Sequence, residues 1–302
     1  MLKINKILVP TDFSTNADFA LNYALKVAHT LDAQEMHLVH VDLYGEVTND
    51  DELMDKLKHV EKPANEVLPF TYRLIQGHIH AAPALAEYAA ENGIDLIVMG
   101  THGLRGMRRF LLGSVAEELV RTATCPVITL HENQKGSADI KRIVVPVDFS
   151  DHSRTALTQA KHLAAAYGAM VDALYVIEEW YYPHIFGMQL PSLAETNPEM
   201  NQMAEESLKK FYVSTPGPEV EHALSVHFGT IVNSIRAHTA EVNGDLVVIA
   251  THGVTSEWEE LIGSVTEKLV RTSDVPMWTM RPVKSGSNDD AWLGGTTAAH
   301  VA

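Results

Sequence analysis

The stretch Asp95-Leu-Ile-Val-Met99 runs into Gly100-Thr-His-Gly103 and, nine residues later, into Gly113-Ser114. The run after the aspartate is apolar without polar alternation, which predicts a β-strand covered on both faces. Glycines in the following turn permit positive φ angles and close approach of backbone N–H groups. Gly-Ser then opens a helix, whose free N–H groups and positive dipole end favour phosphate. The stretch therefore predicts an α/β protein with an anion-binding turn.

The chain is an internal repeat. The glycine motif recurs as Ala250-Thr-His-Gly253, nine residues and Gly263-Ser264, and 17 of the 37 residues of 95–131 are identical, without a gap, at an offset of 150. The segment Ile7–Ser14 matches Ile143–Ser150 at an offset of 136. Identity of this length indicates gene duplication, with net insertions in the middle of the second half.

Each half alternates apolar strands with amphipathic helices, which is typical of parallel strands joined by right-handed crossovers. The predicted elements of the first half are strands at Ile7–Thr11, Met36–Val41, Phe70–Gln76, Asp95–Met99 and Pro126–Leu130, and helices after Ser14 and at Asp50–Val67, Ala82–Glu91 and Gly113–Thr122. We predict two tandem, open, five-stranded parallel sheets with helices on both faces, in domains 1–133 and 140–283, followed by a flexible tail at 284–302.

Composition narrows the class of protein. The formal net charge of −16 opposes non-specific binding to nucleic acid or anionic membranes. No apolar run approaches the roughly 18 residues of a membrane span, and Asn5 and Lys6 interrupt any signal-like segment, so we expect a cytoplasmic protein. The single cysteine, Cys125, excludes an intrachain disulfide and a thiol-rich metal site. We predict no metal site, because His78-Ile-His80 has no third ligand in the pattern.

The candidate ligand residues follow predicted strand ends, since open α/β sheets bind ligands beyond the carboxyl ends of their strands. Pro10, Thr11 and Asp12 follow the first strand. An ionised Asp12 accepts hydrogen bonds and suits ribose hydroxyls; an Asx turn into the first helix is the alternative. Ser114 contacts phosphate or, alternatively, caps its helix. We expect His102 to stabilise the glycine turn, because the local sequence fixes no nucleophile beside it.

The two copies differ in charge between their glycines. The first copy carries three arginines there, including Arg105 and Arg109, whereas residues 254–260 carry three glutamates. At a partly exposed site each charge is worth about 1 kcal/mol. Ala250 also adds a Cβ where Gly100 has none. Both differences favour the first half as the stronger site; the alternative is that these side chains face solvent and that alanine fits.

The chain resembles a tandem universal stress protein over residues 3–132 and 140–282. The resemblance rests on the G-x-x-G, nine residues, G-[ST] pattern, the Val-Pro-Thr-Asp opening and the Cys-Pro-Val closing strand. It implies a Rossmann-like sheet of order 3-2-1-4-5 in each half and binding of ATP or a related adenine nucleotide, with or without Mg²⁺. It also implies an internal pseudo-dimer in which Val127–Leu130 pairs with Met277–Met280. Further homodimerisation stays open.

The nucleotide site is expected mainly in the first half, with adenosine near Val41 and phosphates near the glycines. The candidates there are Pro10, Thr11, Asp12, Val41, Gly100, His102, Gly103, Arg105, Arg109, Gly113, Ser114 and Val115. The weaker candidates of the second half are Pro146, Val147, Asp148, Val176, Gly253, Gly263 and Ser264. No residue is predicted to be catalytic.

The leading functional prediction is a cytoplasmic stress-response protein that binds ATP or a related adenine nucleotide as a regulatory ligand. We expect it not to be an enzyme, although weak ATP hydrolysis is left open. The alternative is a nucleotide-independent scaffold for an unknown protein client, with vestigial sites. The altered second motif and the aromatic stretch Trp180–Phe186 favour that alternative.

Overall fold

The first half alternates strands and helices from end to end. The computed structural model describes residues 2–43, 50–101, 113–131, 134, 138–179, 198–252 and 262–281. Its first-half elements are β1 (Lys6–Pro10), α1 (Thr15–Thr30), β2 (Glu35–Leu43), α2 (Asp50–Lys58), β3 (Phe70–His78), α3 (Ala81–Glu91), β4 (Leu96–Gly100), α4 (Ser114–Thr122) and β5 (Val127–Leu130).

The second half repeats this alternation. Its elements are β6 (Arg142–Val147), α5 (Asp151–Tyr167), β7 (Met170–Glu178), α6 (Pro198–Ser214), β8 (His222–Gly229), α7 (Ile231–Glu241), β9 (Leu246–Ala250), α8 (Ser264–Thr272) and β10 (Met277–Met280). The α/β fold predicted from the sequence is confirmed. No helix within the described ranges is long and apolar enough to cross a membrane.

One predicted helix is too long. The helix expected over Asp50–Val67 ends at Lys58. Pro63 lacks an N–H and disfavours helical backbone at the residue before it, so the helix cannot continue through this point. The chain instead turns, with the Glu66 N–H donating to the Pro63 carbonyl at 3.0 Å. The other first-half elements begin and end within about two residues of the prediction.

All ten strands form one sheet, in the order β3-β2-β1-β4-β5-β10-β9-β6-β7-β8. The strands are parallel within each half, and the two halves meet where β5 and β10 pair antiparallel, with Ile128 opposite Trp278. This is the internal pairing of last strands that the family resemblance implies. Its consequence is that neither closing strand is an edge of the described sheet.

The core explains the apolar strands. Ile7, Leu8 and Val9 of β1 have no exposed surface, because helices cover both faces of the sheet. One cluster of buried side chains continues through both halves on one face, and Trp278 at the junction belongs to it. Two smaller clusters, one in each half, fill the opposite face. The rigid sheet therefore fixes the strand ends from which the candidate loops extend.

Hydrogen bonds between side chains and backbone also join the halves. The Thr279 hydroxyl donates to the Val127 carbonyl at 3.0 Å, and the Arg281 guanidinium donates to the Thr122 carbonyl at 3.3 Å. Arg271 of α8 contacts Glu117 of α4 at 3.1 Å. These contacts hold the ends of α4 and α8 near the junction.

Candidate functional site

The loop after β1 is tied down by the polar atoms of Thr11, which is buried. Its N–H donates to the Val39 carbonyl at 2.9 Å, and its hydroxyl accepts from the Phe13 N–H at 3.0 Å. His40 donates from Nδ1 to the Thr11 carbonyl at 2.7 Å. Thr11 therefore shapes the loop, so the chain direction at the neighbouring Asp12 is fixed before any ligand arrives.

Asp12 forms the Asx turn that was the alternative to ligand binding. Its Oδ1 accepts from the Ser14 N–H at 3.1 Å. A carboxylate offers about four lone-pair directions, so this turn and a ligand hydroxyl are compatible. Asp148 makes the same turn in the second half, accepting from the Ser150 N–H at 3.0 Å and from the Ser150 hydroxyl at 2.5 Å.

A strained phenylalanine follows each aspartate. Phe13 has a φ of 62° and Phe149 a φ of 63°, a left-handed conformation that is costly for a bulky side chain. Packing holds the first ring, which lies 4.6 Å from the ring of His40 and 4.2 Å from the Lys56 Nζ. Phe149 similarly lies 4.6 Å from the ring of Tyr175. The repeated Asp-Phe-Ser was the only sequence signal of this shared strain.

Gly100 lies at the end of β4, beside β1 in the sheet. A Cβ placed on it would lie 2.4 Å from the Asn16 Nδ2 and 3.1 Å from the Asn16 carbonyl oxygen. The packing of buried Asn16 therefore accounts for glycine here, without any ligand. The second half has Ala250 at this position, and His152 at the position of Asn16. Packing against Asn16 is thus a second reason for glycine at position 100, and the argument that a Cβ intrudes on a ligand stays a prediction.

Gly113 closes the loop that leaves β4. Its N–H donates to the Thr101 carbonyl at 2.8 Å, and a Cβ on it would lie 2.7 Å from that same oxygen. Gly113 is the N-cap of α4 and has no side chain with which to cap it; Ser114 is the exposed first helical residue. The alternative that Ser114 caps the helix is therefore wrong. The first N–H groups of a helix have no partner within it, so this terminus suits an anion.

The second half repeats this backbone arrangement. The Gly263 N–H donates to the Thr251 carbonyl at 2.7 Å, but a Cβ there would lie at 3.3 Å from that oxygen. Ser264 is the exposed first residue of α8, again without a side-chain cap. The Thr266 hydroxyl, in contrast, donates to the Ala250 carbonyl at 2.9 Å, where α4 has Ala116. The two turns thus share their backbone bonds and differ in side chains.

His131 connects the first glycine turn to the second half. Its Nδ1 lies 2.6 Å from the Thr101 hydroxyl, and its Nε2 lies 2.8 Å from the Val270 carbonyl on α8. A carbonyl only accepts, so the imidazole donates from Nε2. The Thr101 hydroxyl that contacts Nδ1 also donates to the Leu130 carbonyl at 3.1 Å. The residue that follows β4 is therefore held by a side chain that reaches the other half, a contact that sequence reasoning missed.

The remaining candidates frame the same edge of the sheet. Pro10 ends β1 and pairs with Val39, and Val41 lies half-buried near the end of β2, next to Ile75 of β3. Val115, also half-buried, packs against the first-half cluster. In the second half, Pro146, Val147 and Val176 occupy the matching places on β6 and β7. His102, Gly103, Arg105, Arg109 and Gly253 lie outside the described residues.

The described residues form two similar halves of one open α/β sheet. In each half a glycine N-cap donates to the carbonyl of the residue that follows the preceding strand, and the two halves define a pair of Rossmann-like domains. The family model described as the universal stress protein family matches residues 3–131 and 139–281. The chain therefore belongs to the universal stress protein family, as a tandem member.

Known relatives match one half or the whole chain. Universal stress protein MJ0531 of Methanocaldococcus jannaschii is 33% identical over 146 residues, covering 43% of this chain and 84% of that protein. A universal stress protein of Mycolicibacterium smegmatis is 24% identical over 293 residues, covering 91% of this chain and 97% of that protein. The crystal structure of a universal stress protein from Archaeoglobus fulgidus has a TM-score of 0.63 at 20% identity, covering 92% of this chain and 98% of its own, so the fold is shared along the chain.

Proposed function

We propose that this protein binds ATP or a related adenine nucleotide as a regulatory ligand at the carboxyl edge of the first-half sheet. The observation that carries the proposal is the start of α4. The Gly113 N–H donates to the Thr101 carbonyl at 2.8 Å, and Gly113 is itself the N-cap of α4, so the N-cap residue offers this helix no side-chain hydrogen bond. Its N-terminal N–H groups and dipole favour phosphate. The spaced glycine motif in this turn is the family's nucleotide signature.

The loop after β1, which carries Asp12, is proposed to bind the other end of the nucleotide, its ribose. Pro10 ends β1, and the Asx turn fixes Asp12 directly beyond it. Since β1 and β4 are neighbours in the sheet, this carboxylate and the glycine turn extend from adjacent strands. An ionised carboxylate accepts from the two hydroxyls of a ribose, which gives selectivity for nucleosides over inorganic phosphate.

The contacts of two described histidines, His40 and His131, are consistent with a binding role without efficient catalysis. Among the described residues, His40 donates to the Thr11 carbonyl and His131 joins Thr101 to the Val270 carbonyl. Both imidazoles are engaged in holding loops, which is a structural use and not that of a general base. We therefore propose regulation, with nucleotide occupancy reported to the second half through His131.

A matched pair of variants tests the proposal. Asp12→Asn keeps an oxygen to accept from the Ser14 N–H but removes the charge, and Asp148→Asn does the same in the second half. Titration calorimetry of tag-free protein with ATP and Mg²⁺ is expected to give one strong site per chain. Hydrogen bonds to a charged group are worth about 1.5–3 kcal/mol, so D12N weakens binding by about tenfold or more, whereas D148N leaves it unchanged.

Three results would count against the proposal. No heat with ATP, and no nucleotide found by mass spectrometry in the purified protein, would remove nucleotide binding and favour the scaffold alternative. Weakening by D148N instead of D12N would move the working site to the second half. Multiple-turnover phosphate release at rates typical of enzymes would contradict the regulatory role. Melting temperatures of both variants close to that of the parent protein exclude unfolding as the cause.

A further inference from the structure

Two histidines and a glutamate meet in the second half, away from the glycine turns. His227 lies on β8, whereas His238 and Glu241 lie one turn apart on α7, which covers that strand. One nitrogen of each imidazole and one oxygen of the carboxylate lie within 4.8 Å of one another. The two rings meet edge to face, with centroids 4.7 Å apart. The group spans 15 residues of sequence and becomes a cluster only when α7 packs on the sheet.

The first half shows how unusual this cluster is. Ile75 pairs with Val41 in the sheet as His227 pairs with Val176, so the isoleucine occupies the histidine's place. Tyr88 of α3 stands where α7 has His238, and its hydroxyl lies 2.8 Å from the His37 Nδ1. Burial lowers the pKa of His37, which favours a neutral hydrogen-bonded pair. The second half has thus exchanged an apolar residue and a tyrosine for two metal-binding side chains.

A buried carboxylate supports the ring of His238. Asp172 on β7 replaces His37, is 1% exposed, and places Oδ1 3.1 Å from the His238 Nε2. Its carboxylate is itself held by the Ser225 hydroxyl at 3.1 Å and by Arg142 at 3.3 Å. Both nitrogens of the His238 imidazole are buried, and neither has a hydrogen-bond partner within the described part of the chain, so Nε2 meets Asp172 at the distance of an ion pair. A carboxylate behind one nitrogen, with the other left for a ligand, is the usual setting of a metal-bound histidine.

We propose that His227, His238 and Glu241 bind a divalent transition-metal ion, Zn²⁺ above all, with Asp172 as the carboxylate that orients His238. Two imidazoles and one carboxylate are a ligand set that suits zinc, and three protein ligands leave a fourth position for water. The two proposals are independent, because these residues do not belong to the nucleotide candidates.

Metal binding requires a small closure of the cluster. Zinc–ligand bonds of about 2.0–2.1 Å place the ligand atoms of a tetrahedral site about 3.3 Å apart, so atoms now up to 4.8 Å apart must move together. Glu241 is exposed and His227 half-buried, so changes of rotamer can supply this movement. Because β8 is the last strand of the sheet, the bound ion would fasten this edge to its covering helix.

Metal titration of the full-length, tag-free chain tests the proposal. After treatment with a chelator and dialysis, the protein is titrated with Zn²⁺ against a competing indicator, and with Co²⁺ followed by visible absorption. We expect one Zn²⁺ per chain, the intense absorption of tetrahedral Co²⁺, and a higher melting temperature with zinc. His227→Ile, which installs the first-half residue, abolishes these signals. Glu241→Gln weakens zinc binding by at least about tenfold.

Glu91 provides the matched control, because it ends α3 as Glu241 ends α7. Glu91→Gln should leave zinc affinity and the Co²⁺ spectrum unchanged. The proposal is overturned if the H227I or E241Q chains bind zinc as tightly as the parent chain, since the ion then sits on other histidines. Absence of zinc binding to the parent chain overturns it equally. The exposed position of Glu241 keeps E241Q informative even if H227I folds poorly.

Discussion

The two halves of this protein keep the same backbone turns and differ in the side chains around them. Gly113 donates to Thr101 at 2.8 Å, and Gly263 donates to Thr251 at 2.7 Å. Both helices that follow start without a side-chain cap. The sequences between the glycines carry opposite charge, with arginines in the first copy and glutamates in the second. Duplication has therefore preserved the backbone hydrogen bonds of the turn, while positive charge in the neighbouring sequence is found in one copy only.

The polar pairs beneath the outer helices diverge further. In the first half, His37 and Tyr88 form a hydrogen-bonded pair, and in the second half Asp172 contacts His238. Both pairs are buried between a strand and a helix at the same level of the sheet. Two buried polar side chains that contact each other can both be replaced by another polar pair. The hydrogen bonds of a turn are made by backbone groups, so substitutions do not replace them.

The largest expected difference in stability between the halves concerns Gly113 and Gly263, the glycines that donate to Thr101 and Thr251. Gly113→Ala puts a Cβ 2.7 Å from a backbone oxygen, whereas Gly263→Ala puts it at 3.3 Å. Overpacking against backbone costs about 1–3 kcal/mol, so we expect G113A to lower the free energy of unfolding by about 2 kcal/mol and G263A by less than about 1 kcal/mol. Urea denaturation measures both. Equal losses would mean that the two turns are equally tight.

A smaller difference is expected at the junction. His131 bridges Thr101 and the Val270 carbonyl at 2.6 and 2.8 Å, and Arg281 reaches the Thr122 carbonyl at 3.3 Å. Losing a buried partner costs about 1–3 kcal/mol, so His131→Phe should destabilise the protein more than Arg281→Met. Urea denaturation measures the free energy of unfolding, and hydrogen exchange in α8 measures the response to ATP. If H131F leaves the first unchanged and abolishes the second, His131 transmits nucleotide occupancy without adding stability.

The smallest expected effect on the free energy of unfolding is at Cys125, whose counterpart in the second half is Val275. Burial raises the pKa of the Cys125 thiol to about 12. Against an ordinary pKa of about 8.5, the thiolate fraction at pH 8 falls about a thousandfold, so a disulfide reagent should react far more slowly with the native than with the unfolded chain. The native rate should rise about tenfold per pH unit. Fast labelling at pH 8 would contradict this burial.

Cys125→Val tests how much the cysteine contributes to the free energy of unfolding. The second half packs valine at this position, and the cysteine is half-buried among apolar neighbours. A near-isosteric change between small apolar groups typically costs less than about 1.5 kcal/mol. We expect a change in the free energy of unfolding within about 0.5 kcal/mol, and a loss above 2 kcal/mol would show that the thiol has a specific partner.

The regular elements could be predicted because their signals are local. The strand β4 could be predicted from its apolar run, since a strand covered on both faces needs no polar alternation. The helix predicted through Val67 ends at Lys58, and Pro63, which lacks an N–H and disfavours helical backbone at the residue before it, prevents its continuation. The packing contact at Gly100 could not be predicted, because Asn16 meets it only after α1 packs on the sheet.

The sequence by itself determined the duplication, the α/β alternation and the two glycine turns, because repeats, periodicity and backbone freedom are properties of residues close together in the chain. Only the tertiary structure decided which side chains meet across the sheet. The reach of His131 to Val270, and the meeting of His227 with His238 beside Asp172, depend on how helices pack on strands that are distant in sequence. Packing brings such groups together without any pattern in the local sequence. Contacts between side chains distant in sequence therefore could not be predicted, whereas turns that depend on the backbone freedom of glycine could.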